Sequence, residues 1–210
     1  MDKVDVKFGE WIQRGFDLYK ANAATLILVN LLAMVLGVLT IGILGGPMFA
    51  GVIMVTLALL DKKEPKPEVG DVFKGFEYFL QMFLLFIVWM AASFVGQVLL
   101  NFIPVLGYPL SMLYVYSITT CAMFAPFHIV ERRMDFVPAL QASFDMVKTN
   151  FWPFFGLLLI ASILSHLGFI ACCIGIVVTM PIYTCIMAVA YREAYGSQAA
   201  QPEPAPAPAG

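Results

Sequence analysis

The stretch RGFDLYKANAATLILVNLLAMVLGVLTIGIL, residues 14–44, decides the fold, because a charged and aromatic segment passes directly into an apolar run. Residues 23–44 carry no charge, and about 20 apolar residues in a helix suffice to cross the hydrocarbon core of a membrane. Before this run, apolar and charged residues alternate at helical spacing, which is typical of a helix lying on a membrane surface. The sequence therefore predicts a surface helix followed by a transmembrane helix.

The composition of the whole chain agrees with this reading. Of its 210 residues, 61% are hydrophobic and only 12% are charged, whereas about 25% are charged in ordinary soluble domains. The net charge of −2 argues against the broad basic surface that nucleic-acid binding requires. We expect an integral membrane protein whose main partner is the lipid bilayer, with other membrane proteins or a second copy of the chain as further candidate partners.

The pattern repeats along the chain and predicts an all-α integral membrane fold. The bundle would have six helices in three transmembrane hairpins, each preceded by an interfacial amphipathic helix. The candidate spans are residues 23–44, 47–60, 79–102, 105–130, 151–171 and 174–191; the second is the shortest. Residues 1–196 would form a single polytopic domain, followed by a disordered Pro/Ala-rich tail at 197–210.

The positions of the charges predict the orientation. Every Lys and Arg lies before the first span, between the second and third, between the fourth and fifth, or after the sixth. The positive-inside rule then places both termini and both long loops in the cytoplasm. The spans themselves contain no charged residue, which disfavours a proton relay or a voltage sensor.

A short motif recurs before the spans. RGFDLYKAN at 14–22 matches ASFDMVKTN at 142–150, and KGFEYFLQM at 74–82 is a partial copy. The copies indicate pseudo-repeats at about 4–63, 69–133 and 136–194, unless the biased composition produces the match by chance. We expect the Phe side chains at the lipid boundary, an Asp–Lys pair on the wet face, and helix N-caps at Asn22 and Asn150. The elbow residues are Phe16, Asp17, Lys20, Phe76, Glu77, Phe144, Asp145 and Lys148.

Two polar stripes lie within the predicted spans, one on the third and one on the fifth. Their spacing puts each stripe on one helix face, and unpaired polar groups are costly in hydrocarbon, so we expect the stripes to face each other or a wet cavity. The sequence allows two interpretations: a polar vestibule that binds a ligand, or hydrogen bonds that hold the two helices together. The stripes consist of Ser93, Gln97 and Asn101, and of Ser162, Ser165 and His166.

The chain has no motif that indicates catalysis. It has no nucleophile paired with a base, no phosphate-binding glycine loop, and no Cys, His and carboxylate spacing typical of metal ligands. We therefore expect neither an enzyme nor a bound cofactor or metal. The first hypothesis is a scaffold, assembly or membrane-organising protein; the alternative is a channel or transporter for a neutral or amphipathic solute or a lipid.

Two further motifs carry a family resemblance. GGPMFAG at 45–51, followed by a charged loop and DVFKGFEYF at 71–79, resembles a group of prokaryotic polytopic membrane proteins. The group includes the YciC-like family and the membrane domains attached to some glycerophosphodiester phosphodiesterases. The resemblance implies a helical bundle of the prokaryotic cytoplasmic (inner) membrane with no assigned function. It does not carry the phosphodiesterase activity to this chain, which is used entirely for the spans and the segments that lead into them.

Overall fold

The computed structural model describes residues 7–166 and 172–199. All regular elements in these two ranges are helices, which confirms the all-α class expected from the sequence. A 3-10 helix at Val69–Tyr78 leads directly into the fourth α-helix. The α-helices are α1 Phe8–Ala21, α2 Ala23–Leu39, α3 Gly45–Leu60, α4 Phe79–Asn101, α5 Gly107–Ala122, α6 Ala125–Arg132, α7 Phe136–Thr149, α8 Phe151–His166 and α9 Cys172–Ala199.

Some of these helices are suited to a membrane. Within the described ranges, Val69–Asn101 and Gly107–Arg132 are long and apolar enough to cross one. The number rises to four if α1 with α2, and α7 with α8, each count as one bent span. The apolar helix α3 is shorter. The sequence-based count of six spans therefore stays a prediction.

The two bent pairs turn at equivalent asparagines. α1 and α2 meet at 90°, and α7 and α8 meet at 107°. Asn22 has φ −133° and ψ 25°, and Asn150 has φ −134° and ψ 42°. Each ends one helix by donating its backbone N–H to the residue three positions earlier, and each accepts the first bond of the next helix. The two copies of the motif thus share one backbone geometry.

The side chain of Asn22 does not form the predicted N-cap, whereas the cap predicted at Asn150 stays a prediction. At Asn22 no side-chain capping bond forms, and Nδ2 donates instead to the carbonyl of Leu18 at 3.1 Å. The Nδ2 atom of Asn150 is buried without a hydrogen-bond partner among the described residues. The shared part of the two turns is therefore the asparagine backbone, whose carbonyl accepts the first hydrogen bond of the following helix.

Helix α9 forms the centre of the molecule. Its residues from Ile182 to Tyr195 are largely buried, and it packs against α1, α2, α3 and α8. α1 lies close to α9 at Gly15, where an added Cβ atom would lie 2.7 Å from Cγ1 of Ile186. Trp11, one turn earlier, is 2% exposed and stacks on Phe154 of α8. Much of the apolar face of α1 therefore contacts protein instead of the lipid expected from its amphipathic pattern.

The 3-10 helix packs backbone to backbone against α3. A Cβ atom added to Gly51 would overlap the Val72 carbonyl, and one added to Gly75 would overlap the Pro47 carbonyl and the Gly51 backbone. Only glycine permits helix backbones to approach this closely. The motifs GGPMFAG and DVFKGFEYF, separated by a charged loop in the sequence, therefore meet in space.

The third pseudo-repeat differs from the other two. Pro47 and Pro109 are both the third residue of a helix, α3 and α5, directly after a short turn. Pro181 lies inside α9, so residues 174–181 are helical and do not form the turn that the repeat predicts. Residues 167–171, where the predicted fifth span ends, lie outside the described ranges, as do residues 200–210 of the predicted tail. Residues 197–199 of that tail belong to α9.

A broad apolar surface surrounds the bundle. α4 carries much of it, with Phe94 67% and Leu99 65% exposed. Soluble monomers rarely expose large contiguous apolar patches. Such a surface fits contact with lipid.

Candidate functional site

An apolar cavity of about 360 Å³ lies between α3, α4, α5, α6 and α9. Volumes of this order are usual for sites that hold small organic ligands. We call it the apolar cavity. Its lining residues are Gly45, Gly46, Phe49, Met82, Leu85, Phe86, Trp89, Thr119, Ala122, Met123, Pro126, Phe127 and Tyr183.

Local sequence features create the space. The glycine pair at the start of α3 lacks side chains, and Gly46 lies so close to α4 that an added Cβ atom would be 3.1 Å from the Met82 carbonyl oxygen. On the opposite side the chain breaks between α5 and α6 at residues 123–124. Ser143 of α7 stabilises this break, since its hydroxyl donates to the Cys121 carbonyl at 2.7 Å and accepts from the Phe124 N–H at 3.2 Å.

The few polar groups of the apolar cavity are neutral. The indole N–H of Trp89 donates to Thr119 Oγ1 at 3.1 Å, and Thr119 in turn donates to the Val115 carbonyl at 2.7 Å. Tyr183 adds a hydroxyl group to the lining. None of the lining residues is a carboxylate, an amine, a histidine or a cysteine. The cavity can hold the hydrocarbon part of a molecule. Its neutral polar groups could form hydrogen bonds with a polar atom of the same molecule.

A second cavity, of about 310 Å³, lies at the end of the bundle where α3, α6 and α9 carry charges. We call it the charged cavity. It combines four cationic side chains and two carboxylates with an apolar wall. Its lining residues are Met54, Val55, Leu57, Ala58, Lys63, Pro67, Asp71, Lys74, Tyr78, Val130, Glu131, Arg133 and Arg192.

An ion-pair network holds this end of the bundle together. Arg192 of α9 donates to Asp61 at 2.6 and 3.0 Å and also binds Glu131 of α6. Burial lowers the pKa of Arg192, but the hydrogen bonds to the two carboxylates outweigh it and leave that pKa raised. The arginine therefore stays charged and joins the ends of α3, α6 and α9.

The other cations of the charged cavity differ in their partners. Lys74 pairs with Asp71 at 2.8 Å, and Arg133 pairs with Glu77 at 3.6 Å. For Lys63, no carboxylate lies within 4.0 Å among the described residues. Lys63 is thus the one lining cation in the described part of the chain that has no ion-pair partner.

The two predicted polar stripes do not pack against each other. α5 lies in contact with both α4 and α8, while α4 and α8 make no substantial contact. Gln97 and Asn101 are exposed, and the Ser93 hydroxyl is buried without a hydrogen-bond partner in the described ranges. None of the three residues of the first stripe lines either cavity.

The residues of the second stripe make hydrogen bonds within α8 and with α9. His166 Nδ1 lies 2.6 Å from the carbonyl of Ser162, one turn earlier in α8. The Ser165 carbonyl accepts a hydrogen bond from the Thr179 hydroxyl of α9, at 2.5 Å, while the Ser165 hydroxyl is buried without a partner among the described residues. The bond between Thr179 and Ser165 links α8 to α9, and none of the stripe residues lines either cavity.

The predicted Asp–Lys pair forms in the second full copy of the elbow motif but not in the first, since no carboxylate of the described residues lies within 4.0 Å of Lys20. Lys20 lies over the Phe16 ring and Lys148 over the Phe144 ring, each 5.9 Å from the ring centroid. Lys148 also pairs with Asp145 at 2.5 Å. Phe144 is exposed, whereas Phe16 packs partly against the core. In the middle copy, Phe76 is exposed and stacks on Phe73, and Glu77 pairs with Arg133.

Sequence reasoning missed the residues that line the cavities. Gly45 and Gly46 stand in the sequence only as part of the GGPMFAG motif, although two adjacent glycines at a helix start also signal missing side-chain volume. Trp89, Thr119 and Tyr183 lie on three different helices, and no sequence spacing connects them.

No group of three His, Cys, Asp or Glu residues that could hold a metal ion occurs within residues 7–166 and 172–199. Comparison with protein-family models, with curated proteins and with solved structures found no match for the chain. The resemblance to the YciC-like group stays a prediction. The geometry of the two cavities therefore carries the functional argument.

Proposed function

We propose that this protein is a non-enzymatic, multi-pass membrane protein that binds the hydrocarbon part of an amphipathic molecule, such as a lipid, in the apolar cavity. The observation that carries the proposal is the cavity itself, which is lined almost entirely by apolar side chains and bordered by the Trp89–Thr119 hydrogen bond. An acyl chain fits this lining, because it gains contact there without requiring a charged partner.

The proposed setting is a bundle of three transmembrane hairpins in a prokaryotic inner membrane. The order of apolar helices supports it: α2 with α3, α4 with α5 and α6, and α8 with α9. The clustering of Asp61, Glu131 and Arg192 at one end of the bundle supports a common aqueous side for the long loops. In this arrangement both termini lie in the cytoplasm.

A pair of glycine substitutions tests the proposal. Gly45 lines the cavity, and a Cβ atom added to it would meet no atom within 4 Å, so Gly45→Leu should fill space without a backbone clash. We expect native mass spectrometry, after the protein in a mild detergent is incubated with phosphatidylcholine or oleic acid, to find these molecules retained on the wild-type protein and largely lost from Gly45→Leu.

Gly9→Leu is the matched control. Gly9 also has open space around it, but it lies in α1 and does not line the cavity. This variant should retain the same molecules as the wild type. Equal retention by both variants, or no retained amphiphile on the wild type, would contradict the proposal.

The exposed aromatic residues favour a second function, that of a membrane-organising protein. Phe73, Phe76 and Phe144 are exposed, and Lys148 lies over the Phe144 ring. Phe on the apolar face and Lys on the polar face are typical of helices that lie in a membrane interface. If organisation of the bilayer is the function, liposomes containing the protein should change shape in electron micrographs at high protein density, and Phe144→Ser should reduce that change.

A further inference from the structure

We propose that the charged cavity binds the anionic phosphate headgroup of a membrane lipid, with Lys63 as the main recognition residue. The inference uses residues that the apolar cavity does not share, and it rests on the proposed function only in requiring that the protein lies in a bilayer. The ligand class is a lipid with a phosphate diester or monoester in a headgroup that contains no positively charged group.

The excess of positive charge in the cavity lining favours an anionic ligand. Four cationic side chains and two carboxylates line the cavity, in a chain whose net charge is −2. Arg192, Lys74 and Arg133 are held by carboxylates. The remaining lining cation, Lys63, has no such partner among the described residues, so a bound phosphate would complete its charge pairing.

The backbone around Lys63 is held in place. The end of α3 has the hydrogen bonds of a Schellman motif, since Lys62 N–H donates to the Leu59 carbonyl at 3.2 Å and Lys63 N–H donates to the Ala58 carbonyl at 2.9 Å. Lys62 has the positive φ of 52° that this motif requires. Lys63 therefore starts from a fixed position, and only its side chain must become ordered on binding.

The surroundings favour a lipid over free phosphate. Part of the lining is apolar, with Met54, Val55 and Val130 among its residues. Phe73 and Phe76, on either side of Lys74 in the 3-10 helix, are exposed and stacked. A free phosphate ion would gain nothing from these groups, whereas a lipid presents apolar atoms next to its headgroup.

Lipid competition on three variants tests the inference. The protein is placed in phosphatidylcholine nanodiscs that contain a minority of phosphatidylglycerol, and the retained lipids are counted by native mass spectrometry. We expect the wild type to prefer phosphatidylglycerol, and Lys63→Ala to lower that preference about fivefold, which corresponds to about 1 kcal/mol for the loss of one ion pair between the lysine and the lipid phosphate.

Two controls make the result specific. Lys63→Arg keeps the charge and should keep most of the preference, while Lys66→Ala removes a nearby exposed lysine that does not line the cavity and should change nothing. An equal loss in Lys66→Ala and Lys63→Ala, or no preference in the wild type, would overturn the inference. Displacement of phosphatidylglycerol by millimolar inorganic phosphate would also overturn it, in favour of a free-phosphate site.

The same experiment separates the two proposals. Gly45→Leu acts on the apolar cavity alone, so it should leave the preference for phosphatidylglycerol intact. If Lys63→Ala behaves as the wild type while Gly45→Leu loses its bound amphiphile, only the headgroup site is wrong.

Discussion

At the scale of single residues, glycine determines the closest contact between elements. Gly51 and Gly75 let the backbone of α3 touch that of the 3-10 helix, and neither position has room for a methyl group. The sequence shows both glycines in short motifs, but periodicity reveals only the face of a helix and not its partner. That these two glycines meet could not be predicted without a second, independent link between the motifs.

We expect Gly75→Ala and Gly51→Ala to lower the free energy of unfolding by about 1–3 kcal/mol each, because the added methyl group forces the two backbones apart. The measurement is thermal or denaturant unfolding in detergent micelles. Gly70→Ala is the control, since it lies in the same 3-10 helix and an added Cβ atom would meet nothing within 4 Å. A similar loss in all three variants would show that the close contact is not the cause.

At the scale of elements, the sequence predicts the turns between consecutive helices better than it predicts which helices pack against each other. The repeated motif correctly places the turns into α2 and α8 at Asn22 and Asn150, because the charged segment ends and the apolar run begins there. It also assigns an aromatic face to α1. It does not reveal that this face packs against α9, since an aromatic stripe suits lipid and protein equally well. The polar stripes of α4 and α8 do not meet, because α5 contacts both helices and α4 and α8 make no substantial contact with each other. The spacing within each stripe does not reveal this arrangement.

The docking of α1 on α9 can be tested by Gly15→Val. The larger side chain would collide with Ile186, so α1 should separate from α9 and expose Trp11, which is now 2% exposed. In a background where Trp89 and Trp152 are replaced by Phe, we expect Trp11 fluorescence to become accessible to iodide. Gly9→Val, on the open side of the same helix, should leave it protected. Protection in both variants would mean that Gly15 is not the point of docking.

At the scale of the whole molecule, composition gives the class and charge placement gives a proposed orientation. The all-helical fold and its apolar surface follow from the high hydrophobic content of the sequence. The cavities do not follow from the composition, because each forms where three or more helices meet and their side chains leave space unfilled. Lys63 illustrates the difference: the sequence shows a lysine in a basic loop, and only the fold shows that the other cations lining the charged cavity are already paired with carboxylates.

Cysteine labelling tests the proposed orientation. In a background with the four cysteines replaced by alanine, Lys66→Cys should lie on the cytoplasmic side and Val105→Cys on the opposite side. Val105 is 94% exposed at the turn between α4 and α5, so a thiol there should be accessible. We expect a membrane-impermeant maleimide to label only Val105→Cys in intact cells and both variants after permeabilisation. Labelling of both variants from the same side would contradict the three-hairpin topology.

The central position of α9 has a consequence for the synthesis of the protein. Gly15 and Ile186, which touch in the finished molecule, are 171 residues apart in the chain. At the usual speed of a ribosome, roughly 10 to 30 s pass between the synthesis of one and the other. During that time α1 has no α9 to pack against, and its Trp11 face must be sheltered by the membrane surface. The amphipathic pattern of α1 thus suits two successive environments, first the lipid boundary beside a nascent chain and then the groove that α9 completes.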